Sequence, residues 1–232
     1  MITLERVERW LSDEYRKLSG LSWRQRTEYV WDYYKLWLTG IFAVIVILCW
    51  WIPQLVSANR GNWFCACFAN TYAEIGTNSD FWREYARYAG YDLREKNLMF
   101  NARIYCDPTR ENYGNEYYRL LIAMMDSGTA DVIVMERERL QALGSAGRLM
   151  DLEDERTADL FDRYENRLVW CEPSDPDYGK TSVAIGIDLT DSLLVGENCA
   201  YPEEAVLGLN ALSPHPDQAA VFLRYIFEED NA

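Results

Sequence analysis

Histidine is nearly absent from this chain, because His215 is the only one among its 232 residues. A Ser-His or Cys-His catalytic pair would need that residue, and its Pro-His-Pro context is typical of the lead into a helix. A zinc site is not indicated either, since Cys65-x-Cys67 alone is a weak motif and His215 is far from it in the sequence. These scarcities argue against a histidine-dependent enzyme and against a zinc-binding domain.

Glycine-rich phosphate loops are also missing. The acidic run 151–155 places carboxylates on neighbouring positions, a spacing with no logic for acid–base catalysis. We therefore predict a non-catalytic protein with no cofactor and no bound metal. Basic residues are scarce after position 35, where 16 Lys and Arg face 31 Asp and Glu. So acidic a region repels phosphate backbones, and nucleic acid is not an expected partner.

Charge is absent altogether from Leu36 to Asn59, and this stretch contains the unbroken apolar run 41–48. A helix needs about 20 apolar residues to cross the hydrocarbon core of a bilayer. We therefore expect residues 36–56 to form a transmembrane helix in contact with the lipid bilayer. Aromatic residues that suit the two headgroup layers flank the run, namely Tyr33, Tyr34, Trp37, Trp50 and Trp51.

Basic residues set the expected orientation of this helix. Five of them lie within about 20 residues before the predicted span, and only Arg60 follows it closely; the five are Arg16, Lys17, Arg24, Arg26 and Lys35. The positive-inside rule then predicts a single-pass protein of the plasma membrane, with residues 1–35 in the cytoplasm and residues 57–232 outside. A signal peptide cleaved after Ala58 is the alternative, but the long, helix-like segment before the apolar run favours a retained anchor.

The predicted cytoplasmic segment, residues 1–35, has apolar residues such as Leu4, Val7 and Leu11 at helical spacing, and Gly20 is a stop signal. An amphipathic helix is expected there, either lying on the inner leaflet or contacting another protein. A second helix is expected to begin near Ser22 or Trp23 and to run into the membrane.

The region after the anchor alternates between strand-like and helix-like stretches. Its first half reads as strand 63–68, helix 80–89, strand 98–105, helix 116–127, strand 132–135 and a helix that ends at Gly144. Further strands are predicted at 167–170, 181–187 and 205–211, followed by a helix that opens at Pro216. This order predicts an α/β fold with a doubly wound, mostly parallel sheet and helices on both of its faces.

Five cysteines lie in this region, an odd number that cannot all pair within one chain: Cys65, Cys67, Cys106, Cys171 and Cys199. A Cys171–Cys199 disulfide and free, buried thiols both remain open as interpretations.

Two segments carry a resemblance to a known family. The first segment is 118–134, in which a helix ends at the small-residue–Gly pair Ser127-Gly128 and a strand starts at Asp131-Val132. A further helix follows and ends before Gly147-Arg-Leu-Met-Asp-Leu152. This order resembles the first lobe of extracellular solute-binding proteins of the type 2 periplasmic-binding fold. The strand, loop and helix of residues 205–229 are similar to the same family, and residues 27–37 resemble uncharacterised single-pass proteins of Gram-positive bacteria. Too few residues separate the two segments for a second lobe, so the resemblance implies a one-lobe, membrane-anchored relative.

In open α/β sheets, ligands bind beyond the carboxyl ends of the parallel strands. The residues predicted there are Asn70, Thr71, Tyr72, Asp107, Glu136, Arg137, Asp188 and Asp191. Each could equally be an ordinary loop or cap residue, while Trp170 and Tyr178 are candidates for stacking on a sugar. We expect an extracytoplasmic module that binds a small ligand or a membrane-protein partner. The alternative is a structural or assembly subunit of a membrane complex that has lost ligand binding.

Overall fold

The computed structural model of the protein describes residue 16 and residues 22–58, 60–110, 113–175 and 179–228. Within the first helix, the side chains at 26, 27, 29, 30, 32–34, 36, 38 and 53–58 are outside this description. The chain divides into two compact units, Met1–Asn59 and Arg60–Ala232. Apart from Arg16, the amphipathic helix predicted over residues 4–18 lies outside the described residues.

The first unit contains helix α1, Trp23–Ala58. The predicted helix start near Ser22 or Trp23 is confirmed, and the Ser22 backbone N–H and hydroxyl both donate to Gln25 Oε1, at 3.1 and 3.0 Å. The described apolar side chains from Ile41 to Ile52 are exposed, Phe42 by 67%. Among the described residues, which leave gaps within α1, no stretch of helix is long and apolar enough to span a membrane.

The second unit is an α/β domain with six strands in one sheet. The strands are β1 Asn62–Ala69, β2 Asn97–Ile104, β3 Val132–Met135, β4 Leu168–Cys171, β5 Val183–Asp188 and β6 Val206–Leu209. The helices are α2 Asp80–Tyr88, α3 Glu116–Asp126, α4 Arg137–Ser145, α5 Ala158–Arg163 and α6 Pro216–Ile226, with short 3-10 turns at Glu155–Thr157 and Glu165–Arg167. Strand β3 matches its predicted bounds, whereas α5 was not predicted.

The strand order is β2-β1-β3-β6-β5-β4. Strands β1, β2 and β3 are parallel, but β6 is antiparallel to both β3 and β5, and β4 is antiparallel to β5. The prediction of a mostly parallel sheet is therefore wrong, and the sheet is mixed. The connections explain the difference. Helices join β1, β2 and β3, whereas the described residues of segments 172–182 and 189–205, which join later strands, contain no helix. Parallel neighbours need a long crossover connection, usually helical.

Helices cover both faces of the sheet, as predicted. On one face, α2, α5 and α6 pack over strand residues such as Phe64 and Phe68. On the other, α3 and α4 pack over residues such as Cys65 and Ile133. The alternation along β1 follows from the two-residue period of a strand, which points successive side chains to opposite faces. Because both faces are buried, strands such as β3 are apolar throughout.

Candidate functional site

The carboxyl ends of β1, β2, β3 and β5 lie at one edge of the sheet, which we call the carboxyl rim. Strands β1, β2 and β3 are parallel, and β5 has the same direction because β6 separates it from β3 as an antiparallel strand. Most of the predicted site residues lie at or just after these four ends.

Asn70 joins three strand ends at the rim. Its φ of 59° is in the left-handed region, where asparagine is tolerated better than most residues. Its backbone N–H donates to Ile104 O at 2.8 Å, and its side-chain Nδ2 donates to Cys106 O at 2.9 Å and to Glu136 Oε2 at 3.2 Å. Its Oδ1 accepts from Cys106 N at 3.0 Å. Its backbone N–H and both polar atoms of its side chain therefore hold the rim together.

The charged residues of the rim are paired with one another. Glu136 Oε1 accepts from Arg139 at 2.5 Å, and Arg139 Nε lies 3.8 Å from Asp107 Oδ1. Arg137 donates to Asp188 and also lies 3.6 Å from Glu204. The rim thus brings Asp188 to Arg137 from a distant part of the chain, but it leaves these charges little capacity for a ligand.

Thr71 and Tyr201 support the rim through hydrogen bonds from their buried hydroxyls. The Thr71 hydroxyl is buried and donates to Ala200 O at 2.7 Å. The Tyr201 hydroxyl lies 2.8 Å from both Ala69 O, the last carbonyl of β1, and Val134 O, the penultimate carbonyl of β3. Burial raises the pKa of Tyr201 well above its usual value, so this hydroxyl stays protonated. Tyr201 was not predicted, since its partners are far away in the sequence and it lies in no motif.

Two candidates lie elsewhere, and the position of a third is not described. Asp191 has a φ of 67° and lies 3.5 Å from Arg167, so no described contact joins it to the rim. Trp170 lies on β4 with its ring edge-on to Phe161. Tyr178 is outside the described residues.

Asp188 is expected to make the unfolding free energy of the domain depend on pH in the acidic range. Burial opposes ionisation, but hydrogen bonds from Thr190 and Arg137 outweigh it and lower the pKa of Asp188. A lowered pKa in the folded state stabilises the fold above the unfolded value of about 3.9, and this contribution disappears as the pH falls through the lowered value. We expect the difference in unfolding free energy between wild type and Asp188→Asn to be constant above about pH 5 and to shrink below about pH 4. Urea titrations between pH 2 and 6 measure it, and a difference that does not change with pH would contradict this assignment.

A groove of about 980 Å³ adjoins the rim along the edge strand β2, and we call it the β2 groove. Residues 72–74, 76–81, 83, 99–103 and 105 line it. Tyr72, one of the predicted site residues, is 90% exposed and stacks on Tyr105, with ring centroids 5.3 Å apart and planes 28° apart. Unlike the rim, the groove therefore has an aromatic surface that is open to a ligand.

The backbone of β2 that faces this groove is partly capped. Trp82 Nε1 donates to Leu98 O at 3.0 Å. Thr77 donates to Phe100 O from its backbone N–H at 2.9 Å and from its hydroxyl at 3.1 Å, and that hydroxyl accepts from Phe100 N at 2.9 Å. Such caps protect an edge strand from pairing with another extended chain.

At the amino end of β3, the buried carboxylate of Asp131 binds three hydrogen-bond donors. Its Oδ2 accepts from Cys65 N at 2.7 Å, and its Oδ1 lies 2.6 Å from the Ser213 hydroxyl and 3.0 Å from His215 Nδ1. Because Ser213 donates to the carboxylate itself, the arrangement differs from a Ser-His-Asp triad, in which the histidine lies between the other two. It holds the start of α6 against the start of β3.

All six cysteines are free, so the Cys171–Cys199 disulfide is not formed. A hydrogen bond with Cys65, together with burial, raises the pKa of the Cys67 thiol, and burial raises that of Cys106 to about 11. These buried thiols are neutral near pH 7 and act as small apolar side chains. Among the described residues, no group of three or more His, Cys, Asp or Glu side chains is arranged to hold a metal ion.

In comparisons with known proteins, no family model, no curated protein and no solved structure matches the chain.

Proposed function

We propose that the chain is a membrane-anchored, extracytoplasmic binding module whose ligand occupies the β2 groove. The observation that carries the proposal is the contrast between the two surfaces at this edge of the sheet. The charged side chains of the rim form ion pairs with one another. The groove, in contrast, is open, about 980 Å³ in volume and bordered by the exposed ring of Tyr72. Ligand-binding clefts in proteins commonly have volumes of about 300–1,000 Å³.

The anchor in this proposal is residues 36–56 of helix α1. The sequence there has no charged residue, and the described apolar side chains from Ile41 to Ile52 are exposed rather than packed into a core. Leaving so many apolar side chains in water is unfavourable by about 25 cal/mol per Å² of apolar surface, and a bilayer removes that cost. The basic residues before the apolar run favour a cytoplasmic N-terminus.

The one-lobe likeness to extracellular solute-binding proteins is part of the same proposal. It is supported by the sequence segments described above and by the three parallel strands with their connecting helices. A single lobe can bury only one side of a small ligand, whereas good pockets bury about 70–90% of the ligand surface. A groove on the flank of the sheet suits an elongated ligand better, because such a ligand gains contact area along its length.

The pairing of the rim charges with one another favours a second candidate, a structural or assembly subunit of a membrane complex. In that case Asn70 and the ion pairs of Arg137 and Arg139 only stabilise the fold, and the domain contacts another protein.

Thermal unfolding of the full chain in detergent micelles distinguishes the two candidates. Sugars, short peptides and Ca²⁺ are added separately, and the midpoint of the outer unit is followed by near-UV circular dichroism. A ligand at about 100 times its Kd stabilises the folded state by about 2.7 kcal/mol, which corresponds to a midpoint shift of several degrees. We expect at least one ligand class to produce such a shift in wild type and a smaller one in Tyr72→Ala. No shift with any class, together with a co-purifying membrane protein, would instead support the assembly role.

A further inference from the structure

We propose that the β2 groove binds a neutral saccharide chain, with one sugar ring stacked on Tyr72. This inference rests on the proposed binding function and adds the chemical class of the ligand. Three properties of the groove support it: an aromatic platform, a capped strand edge and a balanced set of charges.

The platform is the pair formed by Tyr72 and Tyr105. The Tyr72 ring stacks against Tyr105 on one side, and because the residue is 90% exposed, its other face is open. Tyr105 is in turn held edge-on by Tyr117, with centroids 5.5 Å apart. The preceding residue, Thr71, is buried and hydrogen-bonded, so the backbone that carries Tyr72 is fixed. A supported, upright aromatic ring presents a negative face that attracts the partly positive C–H groups of a sugar ring.

The capped edge argues against a peptide as the ligand. Extended peptides bind to sheet edges mainly through backbone hydrogen bonds. Here Trp82 already occupies Leu98 O, and Thr77 occupies both the N–H and the carbonyl of Phe100. The end of β2 also has a register shift opposite Cys67 and Ala69, which interrupts a regular ladder.

The charges argue against an ionic polymer. Two acidic and two basic residues line the groove, Glu74, Asp80, Arg83 and Arg103, and Arg83 is already paired with Asp80. The chain as a whole has a net charge of −14, which repels polyanions at a distance. A neutral ligand is therefore favoured over a nucleic acid or another anionic polymer.

Polar groups suited to hydroxyl ligands lie along the groove. In the described part of the chain, the Asn78 side-chain amide has no hydrogen-bond partner, and the Asn101 amide nitrogen has only the Met124 sulfur, at 3.8 Å. Each amide can donate to one sugar hydroxyl and accept from another. An aromatic face in the same groove as such amides suits the C–H faces and hydroxyls of a saccharide.

Isothermal titration calorimetry on the full chain in phosphatidylcholine nanodiscs tests this proposal. The probes are maltohexaose, cellohexaose and N-acetylated chitohexaose, with a hexapeptide of alanine and serine for comparison. We expect at least one hexasaccharide to bind with a Kd below about 1 mM, and Tyr72→Ala to weaken it about tenfold. Tyr72→Phe, which keeps the ring, should bind within about twofold of wild type. Tyr113→Ala removes an exposed tyrosine that does not line the groove and should leave the Kd unchanged.

Two results would overturn the saccharide assignment: no hexasaccharide binds at about 10 mM, or Tyr72→Ala binds as tightly as wild type. Binding of the peptide that depends on Tyr72, without saccharide binding, would disprove the ligand class and leave the binding function standing. If no probe binds here and no ligand class stabilises the protein in the thermal screen, both proposals fail together.

Discussion

Replacing Asp131 by alanine is expected to lower the unfolding free energy of the second unit, Arg60–Ala232, by about 3 kcal/mol. The carboxylate is 1% exposed and accepts hydrogen bonds from Cys65 N, the Ser213 hydroxyl and His215 Nδ1. Without it, the buried Cys65 N–H and the Ser213 hydroxyl lose their acceptor, and an unsatisfied buried donor costs about 1–3 kcal/mol. The start of α6 also loses its link to the start of β3.

Urea unfolding of the full chain in detergent, followed by near-UV circular dichroism, measures this loss. Asp126→Ala is the matched control, because Asp126 is paired with Arg148 in an exposed position. Surface ion pairs contribute about 0–1 kcal/mol, so the control should remain close to wild type. If Asp131→Ala were as stable as Asp126→Ala, the network would not hold the two elements together.

Substituting alanine for Gly186 is expected to destabilise the second unit by about 3 kcal/mol. Gly186 lies in the centre of β5, where an added Cβ would be 2.7 Å from Leu207 O, 2.9 Å from Val206 Cγ1 and 3.0 Å from Leu140 Cδ2. The first of these atoms belongs to the backbone of the neighbouring strand and cannot move without a shift of β6. Overpacking of a well-packed core typically costs about 1–3 kcal/mol, and the backbone clash places this site at the upper end.

Gly61→Ala is the control for that variant, since no atom lies within 4 Å of the Cβ that it would add. Its unfolding free energy in the same urea titration should equal or slightly exceed that of wild type, because alanine reduces the freedom of the unfolded chain. Equal stability of Gly186→Ala and Gly61→Ala would contradict the close approach of α4, β5 and β6.

The sequence predicts local elements well where the apolar period is clear. Strand β3 is an apolar run with turn signals around it, and α6 opens at Pro216 with a regular core stripe, so both could be located before the structure was known. The direction of β4, β5 and β6 could not be predicted, because a buried run of apolar residues looks the same in a parallel and in an antiparallel strand. Strand direction depends instead on the path that the connecting segments take in the folded protein.

The same distinction holds for the candidate site. The rule for carboxyl ends located Asn70, Glu136 and Arg137 at the correct edge. It could not show that Asn70 and Glu136 bind each other, since the pair is 66 residues apart. Nor could it reveal the β2 groove, which exists only because β2 is the edge strand of the sheet. Pairing and edge position are set by the folded chain and leave no local pattern.

The location of the second unit can be measured directly with a membrane-impermeant maleimide added to intact bacterial cells that produce the full chain. Cys199 is exposed, while Cys65, Cys67, Cys106 and Cys171 are buried, and Cys49 lies within the proposed anchor. A single-pass protein with its outer unit outside the cell should be recovered in the membrane fraction and labelled without permeabilisation, and Cys199→Ser should abolish that labelling. Labelling of Cys199 only after permeabilisation, in protein that is full length and membrane-bound, would contradict the extracytoplasmic binding module.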